Sequence, residues 1–220
     1  TWKDFQARNN NELVAIFGNF INRVVVLTNK YYNGIIPEPS KFKDIDKETL
    51  TTLKAYPSVI ASSIERFRFR EGSQELMNLA RLGNKYLADE EPWKTIKTDE
   101  ARTKTVMYVA LQIASALAVL CEPFLPFTSN KLKGILKSHT NNWSTISKED
   151  ILLPSGHLIQ TGKPELLFSK IEDGEIQNQL DKLEANRKAN ENANQSIEPQ
   201  KVEITFDDFT KLDLRVGTIL

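Results

Sequence analysis

The chain has 220 residues, of which 40% are hydrophobic and 26% charged, and its 29 Lys plus Arg balance 29 Asp plus Glu. That is an ordinary globular composition with enough apolar side chains for a core, and zero net charge argues against a surface coated in phosphate contacts while leaving a local basic face open. One cysteine, Cys121, excludes an intrachain disulfide, and with two separated histidines, His139 and His157, it does not make a zinc site.

Five stretches read as helices before residue 139. The first is expected to be capped by Asn9-Asn10-Asn11 and to run to about residue 32, where Asn33-Gly34 and Pro37 stop it. The second begins near Asp46 and reaches about Arg70, with Pro57 expected to kink or split it. The third runs from Ser73 to about Asp89, with Leu76, Leu79, Ala80, Leu82 and Leu87 at helical spacing. The fourth, from about Asp99 to Cys121, is apolar on most sides and reads as buried. The fifth spans about residues 126–137.

After His139 the texture changes to Ser, Thr, Gly and Pro with short apolar pairs, as expected of extended segments lying over the bundle through residue 168. A sixth helix is expected from Asp173 to Ala189. Residues 190–201 read as a polar linker. From residue 202 to 220, Val202, Ile204, Phe206, then Leu212, Leu214 and Val216 alternate with polar residues, which is strand spacing. The chain starts on Thr1 and ends inside an apolar run, so a piece of a longer protein is expected. The fold class is therefore all-α: a helical bundle over residues 1–189, with short extended segments and a C-terminal strand fragment. No stretch reads as a bilayer span and no signal peptide opens the chain, which fits a soluble cytoplasmic protein.

Few residues stand out for chemistry. Asn19 and Arg23 lie four apart on the polar strip of the first helix, so their side chains rise together. An Asn amide donates and accepts, and Arg offers a planar five-donor fork, a pair suited to the polar edges of an unstacked base. An ordinary solvated face has the same spacing. Pro92-Trp93 follows Glu90-Glu91 between the third and fourth helices. Pro restricts the backbone, so the Trp is directed either to plug the gap between helix ends or to offer its face to a base. Arg66-Phe67-Arg68-Phe69-Arg70 alternates basic and aromatic residues, yet it falls at a helix C-terminus, where cations offset the macrodipole and the two Phe can share a core edge. Lys131, Lys133 and Lys137 form the longest one-sided basic stretch and read as a solvated face. Cys121, after an apolar run, reads as a buried structural thiol. No Gly-rich phosphate loop and no nucleophile with a base is present, so no catalytic residues are assigned.

Three stretches in order, NNNELVAIFGNFINRVVVLTNKYYNG, NLARLGNKYLADEEPWK and LFSKIEDGEIQNQLDKL, closely resemble the C-terminal half of methionyl-tRNA synthetases. The resemblance implies the helical domain that follows a class I catalytic domain and reads the CAU anticodon of tRNA(Met). The family's anticodon-contacting Asn and Arg match Asn19 and Arg23, and its Pro-Trp, whose Trp stacks on the first anticodon base, matches Pro92-Trp93. The tail VEITFDDFTKLDLRVGTIL resembles the opening of the tRNA-binding OB-fold appended to many of these enzymes, which often dimerises them. An OB-fold needs five strands, so residues 202–220 would be only its start. The resemblance also implies partners: tRNA(Met), the enzyme's own catalytic domain, and a second copy through the complete C-terminal domain. The ATP-binding signatures and zinc knuckle of the catalytic domain are absent from the sequence. ATP and zinc are thus expected in the remainder of the enzyme, no cofactor in this chain, and no methionine activation by this chain alone.

Two other readings compete. One is the helical anticodon domain of another class I synthetase, for cysteine, valine, leucine or isoleucine, against which Asn19/Arg23 with Pro92-Trp93 discriminates. The other is a helical protein-interaction module without RNA binding, which predicts a buried Trp93 and internally tied Asn19 and Arg23.

Overall fold

A computed structural model of the chain describes residues 1–139, 142–148, 152–162, 165–195, 203–213 and 215–217. The chain divides into two compact units, Thr1–Glu172 and Asp173–Leu220. The first unit contains α1 (Trp2–Arg8), a π-helical segment (Asn9–Gly18), α2 (Asn19–Tyr32), α3 (Asp44–Glu65), α4 (Phe69–Glu90), the short α5 (Pro92–Thr95), α6 (Glu100–Leu120), α7 (Pro126–Leu136) and α8 (Trp143–Lys148). Among the described residues there is no β-sheet, only an isolated antiparallel bridge between Ile35 and Leu158. The all-α expectation holds.

The first helix departs from its expected start. Thr1 caps α1 by accepting from the Asp4 N–H, and helical backbone continues through Arg8 and Gly18 to Tyr32. Asn9, Asn10 and Asn11 therefore sit inside the rod, within its π segment, and cap nothing. A π segment carries more residues per turn than an α-helix, so a projection at 100° per residue holds only from Asn19 onward. The expected stop is present: Asn33 and Gly34 both take left-handed backbone, and Gly34 donates to the Thr28 carbonyl at 3.2 Å.

Pro57 does not split α3, which runs unbroken from Asp44 to Glu65 with Pro57 buried. The break between α3 and α4 falls at Arg66–Arg68, where Phe67 adopts a left-handed φ of 58°. The two Phe of this stretch do not share a core edge: Phe67 is 81% exposed, and Phe69 is exposed beside it at 6.3 Å.

Helix α6 lies at the centre. Asp99 caps it by accepting from the Arg102 N–H, and nearly every residue from Arg102 to Leu120 is buried. It is long and apolar enough to cross a membrane, contrary to the sequence reading, but that apolarity faces the core. Fully buried Leu111, Leu117, Phe17 and Phe20 belong to this core, each contributing about 1.5–3 kcal/mol by leaving water.

The stretch after α7 is expected to hold extended segments and turns, yet Trp143–Lys148 is helical and Ile146 is buried. The described residues beyond it wrap the bundle and are held by amide side chains of the helices. Gln112 of α6 accepts the Leu152 and Leu153 N–H groups at 2.8 and 3.0 Å and donates to the Leu153 carbonyl at 2.9 Å. Asn10 accepts from the Ile171 N–H and donates to its carbonyl, both at 2.9 Å. Asn29 donates to the Gln160 carbonyl at 3.2 Å.

In the second unit, α9 (Asp173–Gln195) passes the expected end at Ala189 and takes up residues 190–195 that read as linker; residues 196–202 lie outside the described residues. Ion pairs Glu184–Lys188 and Arg187–Glu191, each i,i+4, support the extension. Phe206 is not in a strand: α10 (Phe206–Phe209) starts there, capped by a reciprocal box between Thr205 and Asp208. Val202 and Leu214 of the expected alternation lie outside the described residues.

Candidate nucleic-acid interface

The turn that carries Trp93 begins where α4 ends. Glu91 takes left-handed backbone at φ 41°, reversing the chain, and Pro92 opens α5 at its first position, where a missing N–H costs nothing. Pro92 is buried, so it aims Trp93 and offers no surface of its own. Trp93 is half-buried: it packs against the core and keeps part of its surface in solvent.

Helix α2 brings Arg23 to this ring. Its guanidinium carbon lies 5.2 Å from the Trp93 ring centroid, a cation–π stack. Among the described residues no carboxylate pairs with Arg23, so the fork is held by the ring rather than by an acid. Stacking leaves the edge donors of a guanidinium available. Asn19, one turn before Arg23 on α2, is exposed, and no hydrogen bond engages its amide among the described residues. The structure thus brings Arg23 and Trp93 into contact and sets Asn19 on the same helix face. Trp93 is neither fully exposed nor buried away, and among the described residues Asn19 and Arg23 are not tied into internal hydrogen bonds.

Sequence reasoning missed the polar cluster beneath this turn. Arg102 of α6 makes a bidentate pair with Asp46 of α3, at 2.5 and 2.7 Å, and donates from Nε to Glu90 of α4 at 2.7 Å. Tyr86 donates its hydroxyl to Asp46 at 2.5 Å, and the Lys43 N–H donates to the same carboxylate at 2.7 Å. Burial alone would raise the Asp46 carboxyl, but hydrogen bonds from Arg102, Tyr86 and Lys43 bring it below its ordinary value. Burial works against the Arg102 charge too, and the two carboxylates more than offset it. Burial and the Asp46 hydrogen bond push the Tyr86 phenol far up, so it stays a donor. The one available signal was Asp46, which the sequence places near a helix start; no sequence spacing reveals that its partners lie 40 and 56 residues away.

The other candidates do not join the site. Lys131 pairs with Glu165 at 2.7 Å and Lys133 with Glu122 at 2.8 Å, so the basic stretch is largely neutralised. Cys121 is buried, and burial pushes its thiol up to about 12, as expected of a structural cysteine. Among the described residues no three His, Cys, Asp or Glu side chains gather to hold a metal.

The model of a family described as the anticodon binding domain of methionyl tRNA ligase matches residues 36–188. Pro92 and Trp93 lie inside that span, Asn19 and Arg23 before it. Over its whole length the chain is 68% identical to a methionine–tRNA ligase of Christiangramia forsetii and 65% identical to one of Flavobacterium psychrophilum, covering 32% of each. It spans about a third of the length of the curated relatives it matches. Its fold is similar to that of the apo form of Mycobacterium tuberculosis methionyl-tRNA synthetase, with a TM-score of 0.68 and 23% identity over 76% of this chain and 34% of that one.

Proposed function

The chain belongs to the methionyl-tRNA ligase family, and from that premise we propose that it binds tRNA(Met) by its CAU anticodon, using Asn19, Arg23 and Trp93. The observation that carries the reading is the Arg23 guanidinium stacked 5.2 Å from the Trp93 centroid, with no acid competing for it among the described residues. Splayed anticodon bases are recognised by stacking on aromatic rings and by hydrogen bonds to their edges. Trp93 supplies the ring face for the first anticodon base, Arg23 donates to that base's edge, and Asn19 holds a neighbouring base or the loop backbone. Pro92 directs the ring from beneath. A near-neutral chain suits a reader of a few bases better than a general RNA binder, whose affinity comes from phosphates.

On this reading the remainder of the enzyme attaches methionine to tRNA with ATP, in the cytoplasm. By the family resemblance, zinc belongs to that remainder as well. Residues 202–220 are the start of the tRNA-binding OB-fold, and a complete copy of that domain would pair two subunits.

The test is binding of a labelled anticodon stem-loop. A CAU loop should bind more tightly than any single-base variant. Trp93→Ala should weaken CAU binding about 5- to 150-fold, the equivalent of roughly 1–3 kcal/mol of stacking, and Trp93→Phe should keep part of it. Equal affinity for CAU and its variants, or no effect of Trp93→Ala, refutes the proposal.

A further inference from the structure

Glu90 and Arg102 each sit at a helix end that repels them. Glu90 is the last residue of α4, where free carbonyls disfavour an acid, and Arg102 lies in the first turn of α6, where free N–H groups disfavour a cation. Both side chains are largely inaccessible, 15% and 5% exposed. Arg102 does not need Glu90 for neutrality, because Asp46 already takes both terminal nitrogens. Lys43 approaches Glu90 only to 3.9 Å. Glu90 thus adds a second carboxylate to a balanced pair, against its own helix, and what it gains is a brace across the loop of residues 91–99. A second link ties the loop itself to α6: the Thr95 and Thr103 hydroxyls lie 2.8 Å apart. Trp93 falls between the two braces.

We infer that Glu90 and Arg102 are positioning residues for RNA reading, holding the α4–α6 loop so that the Trp93 ring meets Arg23 of α2. The inference rests on the function proposed above. Glu90 touches no base; it acts through Trp93, and Asp46 anchors Arg102 from α3.

The experiment uses the chain with Trp2→Phe and Trp143→Phe, so that Trp93 is its sole tryptophan. Acrylamide quenching of Trp93 and binding of the CAU stem-loop are measured together. Glu90→Ala should raise quenching and weaken binding roughly tenfold, the size of one lost charge-assisted hydrogen bond, with helicity by circular dichroism unchanged. Glu90→Gln keeps an acceptor for Arg102 Nε and should retain most of both signals. Adding Glu90→Ala to Trp93→Ala should weaken binding no further. Unchanged quenching in Glu90→Ala overturns the inference, as does a full additive loss on the Trp93→Ala background. Loss of helicity in both Glu90→Ala and Glu90→Gln overturns it too, since the pair would then hold the bundle and not the loop. If Trp93→Ala alone binds the stem-loop normally, the RNA reading has failed, and the quenching arm still decides whether Glu90 places Trp93.

Discussion

Replacing Gly83 with alanine should destabilise the bundle although the substitution favours helix. Gly83 lies in α4, and a methyl there would come within 2.5 Å of Cε2 and Cζ of Phe20 and 2.9 Å of its Cδ2. Carbon atoms in contact prefer about 3.5–4.0 Å. The ring cannot swing into solvent, because Phe20 is fully buried. Overpacking of this kind costs about 1–3 kcal/mol, against about 0.5–1 kcal/mol gained by removing a mid-helix glycine. The net expectation is a loss of roughly 1 kcal/mol at the middle of these ranges, read as a lower urea midpoint with an unchanged slope. In a Phe20→Leu background the same substitution should become neutral or stabilising. A Gly83→Ala chain as stable as the parent, or more so, would refute the rigid α2–α4 contact. Function should follow stability: Arg23 stands one turn beyond Phe20 on α2, so parting the two helices also parts Arg23 from Trp93 and should weaken stem-loop binding.

Asp46→Asn should cost about 1.5–3 kcal/mol in urea unfolding, since both terminal nitrogens of the buried Arg102 guanidinium then face a neutral amide and Glu90 alone supplies a carboxylate, at Nε. The Asp46 carboxyl is held below its ordinary value in the fold, so its stabilisation is complete above the unfolded-state value of about 3.9 and disappears as pH falls below it. An acid titration of the urea midpoint should show this loss in the parent and not in Asp46→Asn. Cys121, with its thiol pushed up to about 12 and buried, should be inert to Ellman's reagent in the folded chain and react at once in denaturant. Gln112→Leu should expose the 152–162 region to proteolysis and cost about 1–3 kcal/mol, because it leaves buried N–H groups of Leu152 and Leu153 without an acceptor.

Elements built on local signals were legible. Asp99 before a long apolar run gave α6 nearly to the residue, and Pro126 gave the start of α7. Asn33-Gly34 gave the end of α2. Errors arose where a local signal had a distant competitor. The asparagines at 9–11 look like caps, but two of them bond backbone at Ser169 and Ile171, so the helix starts earlier. Alternation at Ile204 and Phe206 reads as a strand, yet Thr205 and Asp208 form a capping box over the same residues. At the candidate site, the nearness of Arg23 and Trp93 was expected from family resemblance, and no spacing in the sequence requires it. The cluster of Asp46, Tyr86, Glu90 and Arg102 was invisible because its members come from three helices and each has an ordinary local reading.

The amides of Gln112, Asn10 and Asn29 meet the main chain of the wrapping segment, not its side chains. The address of that segment is therefore written in the helices it covers. Residues 160 and 171 could change identity and still be recognised, as long as they keep a peptide N–H or carbonyl in place, whereas Leu152 and Leu153 are also held by their own buried side chains. The exposed positions of such a segment can be rewritten from outside, while three amides in the helices and its own buried Leu152, Leu153 and Ile159 keep it docked.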